Sequence, residues 1–304
     1  MKKLAPLFII IAAALWGLDG IVLRPALYSL PVPLVVFVEH ALAFLVMLPF
    51  LIMEFKELKK LQKGDWGAYL WIAIFGGAIG TMAITKALFY VNFVNLSIVI
   101  LLQKLQPVFA LSLAWLILKE RLPKKFFYWA GLAVVAAYFM TFGLALPNLS
   151  TGDKTLAAAL FSLLAAFAFG SSTVFSKRAI KNVSFRIGTY LRFGITTLIM
   201  FLIIAATGDV AKFNLISLHQ LLIFLIIIFT TGGTAIFLYY YGLKFVKASV
   251  STICELSFPL TAIVLEYFIH GNLLSAIQWI GAIVLGYSIY RVSKLKEGAE
   301  DIEN

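Results

Sequence analysis

Three polar residues and a proline interrupt one long apolar stretch of the chain, residues 95–121. They are Gln103, Lys104, Gln106 and Pro107. The stretch is long enough to cross a bilayer, and an ammonium inside such a span faces a bundle interior or a wet cavity because lipid solvates it poorly. Proline also leaves the carbonyl one turn earlier without its helical partner. Groups of this kind can bind the carboxylate of a small molecule.

A second apolar stretch, residues 248–271, follows the same plan. Glu255 and Pro259 are placed in it much as Gln103 and Pro107 are placed in the first. Two interrupted helices at corresponding positions of two halves are typical of the substrate site of a transporter. The sequence therefore predicts a membrane carrier whose site lies between these two stretches.

Six side chains are predicted to line that site. Lys104 with Gln103 would hold a carboxylate, and Glu255 would hold an amino group or a proton. A cavity that contains both signs of charge suits a zwitterion such as an amino acid. The alternative is that Lys104 and Glu255 neutralise each other, since buried charges are normally paired. The full set is Trp16, His40, Gln103, Lys104, Arg192 and Glu255.

Further ionisable residues lie inside apolar stretches, and their depth decides how we interpret them. Side chains near the end of a span extend to the membrane surface or pair with a neighbour. That interpretation suits Lys86 and Glu266, which lie within a turn or two of a span end. It suits the deeper Glu39–His40 pair and Arg192 less well. The wider set also includes Asp19.

The composition excludes a soluble globular protein. Hydrophobic residues make up 62% and charged residues 13% of the 304, against roughly 45–50% and 25% in soluble domains. One cysteine, Cys254, and three scattered histidines offer no disulfide and no metal-ligand spacing, so we predict no metal and no cofactor. The basic residues behind the net charge of +11 lie between apolar spans rather than on one polar face. We therefore do not expect nucleic acid as a partner.

Ten stretches are long and apolar enough to span a bilayer. The first resembles a signal peptide, but its apolar run continues past Trp16, and we keep it as a helix. The ten are 4–24, 33–53, 67–90, 95–118, 125–146, 155–177, 184–206, 219–241, 248–269 and 273–291. The segment 294–304 is polar, and we expect it to be a disordered cytoplasmic tail.

Basic residues predict the orientation. Most of the 25 lysines and arginines fall in one alternate set of connections, beginning with Lys2 and Lys3, whereas the other set holds only Arg24, Lys154 and Lys212. Connections rich in lysine and arginine stay in the cytoplasm. We therefore expect a multi-pass protein of the cell (cytoplasmic) membrane with both termini in the cytoplasm.

The chain also shows a weak internal repeat, with residues 1–150 and 151–293 as its two halves. Gly17 aligns with Gly170, and Pro107 aligns with Pro259. Further pairs match in the same order: His40 with Arg192, Gly80–Thr81 with Gly233–Thr234, and Trp129 with Trp279. Five spans per half, an odd number, force the halves to cross the membrane in opposite senses. The predicted fold class is an all-α membrane protein of ten transmembrane helices, arranged as two inverted five-helix repeats.

These features resemble the drug/metabolite transporter superfamily, in its EamA-type group. The resemblance covers nearly the whole chain and rests on motifs taken in order: Trp16–Gly17, Arg24–Pro25, GGAIGT at 76–81, QPVFALSLAWLILKERL at 106–122 and PLTAIVLEYFIHGNLL at 259–274. It implies that helices one to four and six to nine surround a central cavity, with helices five and ten outside. Gln106 and Phe258 depart from the family's acidic pattern, and His40 stands where a basic residue is usual; these changes bear on the substrate.

Taken together, the residues and the resemblance favour a secondary transporter that moves a small polar metabolite, such as an amino acid, by alternating access. The resemblance alone favours export. The partners we expect are a small-molecule substrate and the lipid bilayer, and we also consider proton coupling and a homodimer. The alternative from another class is a polytopic membrane enzyme acting on a lipid-linked substrate, which would need clustered acids or histidines at the membrane face. A channel ranks last.

Overall fold

The structure is a computed structural model that describes residues 4–90, 97–146, 154–271 and 273–295. Within these ranges the chain forms helices and no strands. Ten helices, α1 to α10, follow the predicted spans, and two of them are divided into halves a and b. Their bounds are α1 Ala5–Leu27, α2 Val32–Met53, α3 Lys63–Ala87, α4a Ser97–Gln103, α4b Gln106–Leu118, α5 Lys124–Phe142, α6 Thr155–Ala179, α7 Phe185–Thr207, α8 Leu218–Phe245, α9a Ala248–Cys254, α9b Ser257–His270 and α10 Ala276–Ser293.

Nine helices of the described residues are long and apolar enough to cross a membrane. The tenth, α10, carries Gln278 and Arg291 and falls outside that group, but it packs along α5. The chain is thus an all-α membrane protein, as predicted. The predicted tail lies outside the described residues from residue 296 onward.

Two helices depart from α-geometry inside the bundle. The segment Asp19–Leu23 of α1 is a π-helix and is followed by a 3₁₀ turn at Arg24–Leu27. Pro25 has no backbone N–H, so a regular α-helical ladder cannot continue through it. In α3 the segment Ile72–Ile79 is also a π-helix. Such wide turns occur often at functional sites.

Helix packing follows a pseudo-twofold symmetry. In the first half α1 packs against α8 and α9, and in the second half α6 packs against α3 and α4. Exchanging each helix with the one five places along converts the first set of contacts into the second. The pairs α2 with α7 and α5 with α10 are unchanged by the same exchange. This pattern is what two repeats related by a twofold axis produce.

Two glycines show that the symmetry extends to individual atoms. A β-carbon on Gly17 would lie 2.8 Å from the carbonyl oxygen of Phe258, the residue before Pro259. A β-carbon on Gly170 would lie 2.8 Å from the carbonyl oxygen of Gln106, the residue before Pro107. Only a missing side chain permits this approach of two helix backbones. The repeat alignment predicted from the sequence is thereby confirmed at these positions.

One end of the bundle is tied together by charged side chains, and we call it the basic end; it is the end at which α1 begins. The Glu120 carboxylate accepts the backbone N–H groups of Ala248 (2.7 Å) and Ser249 (3.0 Å) at the start of α9a. A carboxylate there also interacts favourably with the helix dipole. The Lys244 ammonium donates to three backbone oxygens after α6, including that of Val183 at 2.8 Å. The Glu120 contacts connect the two halves of the chain, whereas those of Lys244 join α6 and α8 within the second half.

Candidate functional site

The two halves of α4 and of α9 meet at breaks in equivalent places. In α4 the break leaves Lys104 N bonded to Leu101 O at 3.2 Å, and in α9 it leaves Leu256 N bonded to Ile253 O at 3.1 Å. Both are three-residue turns rather than α-helical ones. A proline follows each break within a few residues, and its ring removes a donor from the ladder. The sequence prediction of two interrupted helices is confirmed.

Glu255 lies at the α9 break and is held by neutral donors from three other helices and its own. Its Oε1 accepts from Tyr239 (2.9 Å), Ser251 (3.1 Å) and Thr173 (3.2 Å), and its Oε2 accepts from Gln106 Nε2 (2.9 Å). A carboxylate with this many donors is well stabilised as a hydrogen-bond acceptor. Within the described residues it forms no ion pair with Lys104, so the predicted mutual neutralisation is not seen.

Lys104 lies at the α4 break with 9% of its surface exposed. In the part of the chain that the structure describes, its ammonium forms no ion pair. The neighbouring Gln103 donates through Nε2 to Ser162 O on α6 at 3.4 Å. A buried cation without a counter-ion is costly. An ionisable residue of this kind inside a membrane span is therefore a candidate for substrate binding.

Trp16, His40 and Arg192 lie on α1, α2 and α7. The ring of Trp16 is 5.4 Å from that of Tyr239, which donates to Glu255. The His40 ring nitrogen Nδ1 is 2.8 Å from Val36 O. The Arg192 guanidinium lies beside the π-helical turn of α3, where a β-carbon on Gly76 would be 3.7 Å from its Nη2.

Of the six predicted residues, the structure connects Trp16 to Glu255 through Tyr239, and within the described residues no hydrogen bond or ion pair joins Arg192 or His40 to Glu255. The Nε of Arg192 has no hydrogen-bond partner among the described residues, and its guanidinium carbon lies 5.9 Å from the ring centre of Tyr240. Gln103 and Lys104 belong to the α4 break, where Gln103 donates to Ser162 O on α6.

An aromatic cluster that the sequence did not predict lies between α3, α4 and α6. The ring of Trp71 stacks with Phe75 (4.2 Å, 25°) and with Phe175 (4.8 Å, 22°). Phe167 lies edge-on to Trp71 and to Phe109. All five rings are partly exposed rather than buried, so they can offer surface to a flat apolar molecule.

Helix α6 joins the aromatic cluster to the polar one through three consecutive residues. Ser171 accepts from Trp71 Nε1 at 3.0 Å. Ser172 packs on the π-helical turn of α3, where a β-carbon on Gly76 would lie 2.1 Å from its Oγ. Thr173 donates to Glu255. No spacing rule places these partners from the sequence, because they come from helices far apart in the chain.

Two cavities lie toward the opposite end of the bundle from the basic end. One, of about 20 Å³, is lined by residues that include Arg24, Tyr28 and Thr85. The other is a cleft of about 530 Å³ between α2, α3 and α6. Both are lined by Leu30 and Val32, so they are neighbours. Neither is lined by any of the six predicted residues.

Comparison with known proteins identifies a family and relatives that the chain resembles. It matches the EamA-like transporter family twice, over residues 3–142 and 156–293. The riboflavin transporter ImpX of Fusobacterium nucleatum subsp. nucleatum is 48% identical over 290 residues, which cover 95% of this chain and 97% of that protein. A solved crystal structure superposes with a TM-score of 0.73 at 15% identity, covering 100% of this chain and 99% of the other. At that identity the likeness shows the fold alone.

Proposed function

The chain belongs to the EamA-like transporter family, and from that premise we propose that it transports riboflavin or a closely related flavin. The observation that carries the proposal is its 48% identity, over almost its whole length, to a protein named as a riboflavin transporter. Family membership makes the chain a multi-pass membrane transporter for a small molecule. It also favours transport over the membrane enzyme considered above.

The aromatic cluster supports a flavin as the cargo. A flavin combines a broad flat ring system with a polar edge and a hydroxylated chain. Trp71, Phe75 and Phe175 form a stack of partly exposed rings, and we infer that a flat ring system adds to this stack by offset stacking. Small-molecule sites combine an apolar lining with a few placed polar groups. We infer that this cluster binds the flavin rings.

The polar cluster supports the remaining contacts. Gln106 and Tyr239 lie in one hydrogen-bonded group with Glu255, and we infer that Gln106 and Tyr239 exchange hydrogen bonds with the hydroxyls of the flavin side chain. Lys104, which has no ion pair among the described residues, is placed to donate to a carbonyl oxygen at the flavin edge. Trp16 adds a further ring beside Tyr239.

We propose alternating access as the mechanism, with both termini in the cytoplasm. Support for the orientation comes from the concentration of lysine and arginine at the basic end. Support for the mechanism comes from the two repeats and the midspan breaks of α4 and α9. In this state Glu120 and Lys247 join the halves at the basic end, while the larger cleft lies toward the other end.

An amino acid is the second candidate, and one observation favours it. Glu255 and Lys104 do not pair with each other within the described residues, so both charges are available to a zwitterion. Glu255 already accepts four hydrogen bonds, however. That arrangement makes it less able to bind an ammonium, and we therefore place the flavin first.

One assay separates the two candidates. Purified protein in proteoliposomes should accumulate labelled riboflavin in a saturable way, with competition by unlabelled flavin and none by a mixture of amino acids. Trp71→Ala should reduce riboflavin transport, because it removes the stacked ring, whereas Tyr128→Ala on the exposed face of α5 should not. Amino-acid transport without flavin transport would overturn the proposal in favour of the second candidate.

A further inference from the structure

A cluster of two carboxylates and one guanidinium lies away from the proposed flavin contacts. Arg24 Nη2 is 2.6 Å from Asp19 Oδ2 and 3.2 Å from Glu39 Oε1. Thr231 Oγ1 donates to Asp19 Oδ1 at 3.1 Å. The π-helical turn brings Arg24 over Asp19, five residues earlier. The cluster therefore connects α1 and α2 with the interruption of α8.

The charges in this cluster do not balance. Asp19 is 5% exposed and Glu39 is 8% exposed, and both lie within candidate membrane spans. In the part of the chain that the structure describes, Arg24 is the only cation that forms an ion pair with either. Glu39 Oε1 has the Arg24 ion pair as its contact and accepts no hydrogen bond from a second group there. An extra buried negative charge is costly unless a proton or a cation neutralises it.

The surrounding groups favour a proton over a metal ion. The guanidinium lies between the two carboxylates and would repel a cation placed there. No group of three or more acidic, histidine or cysteine side chains that could hold a metal occurs among the described residues. The ionisable residues on the elements packed around the cluster include Tyr28, His40, Lys86, Arg192, Asp209, Lys212, His219 and Glu266. Burial raises the pKa of the Tyr28 phenol, so this group stays protonated at neutral pH.

We propose that Asp19 and Glu39 share one dissociable proton, and that this proton crosses the membrane in exchange or in company with the cargo. The proposal builds on the flavin transport proposed above but adds a site that does not contact the flavin. On release, the carboxyl O–H bond breaks and the proton passes to water. The small cavity beside Arg24, of about 20 Å³, has room for one water molecule.

The position of the cluster explains how the proton affects the conformation. Asp19 and Glu39 belong to the first half, and Thr231 belongs to the second. Thr231 lies where α8 is interrupted, between Phe229 and Gly233. Protonation of Asp19 weakens the charge-assisted hydrogen bond to Thr231. Release and uptake of one proton therefore alter a contact between the two repeats.

The first experiment measures the proton without any cargo. Infrared difference spectra of the purified full chain, titrated with pH, should show the loss of one protonated carboxyl band per chain as pH rises. Glu39→Gln and Asp19→Asn should each remove or shift that band. Glu57→Gln, in the charged linker between α2 and α3, should leave it unchanged. A wild-type chain without such a band, or a band that neither substitution alters, would overturn the proposal.

The second experiment tests the coupling. A pH gradient should drive riboflavin accumulation by wild-type proteoliposomes, and Glu39→Gln should lose this accumulation while keeping flavin exchange at equal pH. Accumulation driven by a sodium gradient instead, or driven equally well in Glu39→Gln, would overturn the proposed coupling. If the chain moves no flavin at all, the cargo proposal fails, and the infrared titration still decides the proton site.

Discussion

Arg24 in the first half and Lys177 in the second are separated by 153 residues, as Gly17 and Gly170 are. They therefore occupy equivalent positions of the repeat, but they meet different partners. Arg24 contacts the carboxylates of Asp19 and Glu39. Lys177 donates to two backbone oxygens of α8, including that of Leu243 at 2.9 Å. The helical frame is symmetric, whereas the chemistry built on it is not. Backbone carbonyl oxygens do not take up a proton, so the acceptors of Lys177 stay the same at every pH. A carboxylate can take up a proton, and its contact with Arg24 then changes.

The largest expected effect is the loss of Arg24. Arg24→Gln leaves two buried carboxylates without a counter-charge, and breaking a buried pair in this way costs roughly 3–5 kcal/mol. Lys177→Gln removes hydrogen bonds to backbone oxygens without leaving a buried charge unpaired, a loss of about 1–3 kcal/mol. We expect a larger fall in the thermal unfolding midpoint, and in the yield of monodisperse protein, for Arg24→Gln.

Equal losses for the two variants, or a larger loss for Lys177→Gln, would contradict this account of the asymmetry. Lys125→Gln, an exposed lysine at the start of α5, provides the control for the charge change alone. It should unfold at the wild-type midpoint.

The symmetric part of the frame is tested by the two glycines at the helix crossings. A β-carbon at Gly17 or at Gly170 would meet a carbonyl oxygen at 2.8 Å, so Gly17→Ala and Gly170→Ala should be destabilising by a similar amount. Overpacking of this kind costs roughly 1–3 kcal/mol. Thermal unfolding of both variants in the same detergent measures the difference.

Gly131→Ala is the matched control, because nothing lies within 4 Å of a β-carbon built there. It should be neutral or slightly stabilising, since alanine is the better helix former. If only one of the two crossing glycines tolerates alanine, the two crossings are not equivalent, and the twofold description of the packing would need revision.

The fold could be predicted from the sequence because the features that determine it are local. Apolar length identifies a span wherever it occurs, and Pro107 and Pro259 interrupt their helices by a mechanism that needs no tertiary contact. The order of Gly17, Gly170 and the two prolines then revealed the repeat. Each of these features depends on neighbouring residues or on simple alignment, and the structure reproduces them.

The contacts of the site could not be predicted in the same way. The position of Glu255 followed from the repeat, but its donors Tyr239 and Thr173 come from α8 and α6, and no sequence spacing connects them. Asp19 and Arg24 are five residues apart, which an α-helix would place on different faces. Only the π-helical turn brings them together, and α-helical periodicity gives no indication of it.

The breaks of α4 and α9 provide a second comparison, and here the expected effect on stability is smallest. Glu255 accepts four hydrogen bonds, so the fold already contains its partners. Lys104 has no ion pair within the described residues and is 9% exposed. Removing a charge that has partners exposes unsatisfied donors, whereas removing one without partners relieves a desolvation cost.

Lys104→Gln should therefore keep or slightly raise the thermal unfolding midpoint while reducing riboflavin transport roughly tenfold or more, as expected for one lost contact of about 1.4 kcal/mol. Glu255→Gln should instead lower the midpoint, because the new amide group faces donors that previously met a carboxylate oxygen. Transport and unfolding are measured on the same preparations, with Lys125→Gln as the charge control.

Loss of folded protein in Lys104→Gln would mean that the ammonium supports the fold. Full transport by a folded Lys104→Gln would remove Lys104 from the binding site, and the α4 break would then position the helix without contacting the cargo.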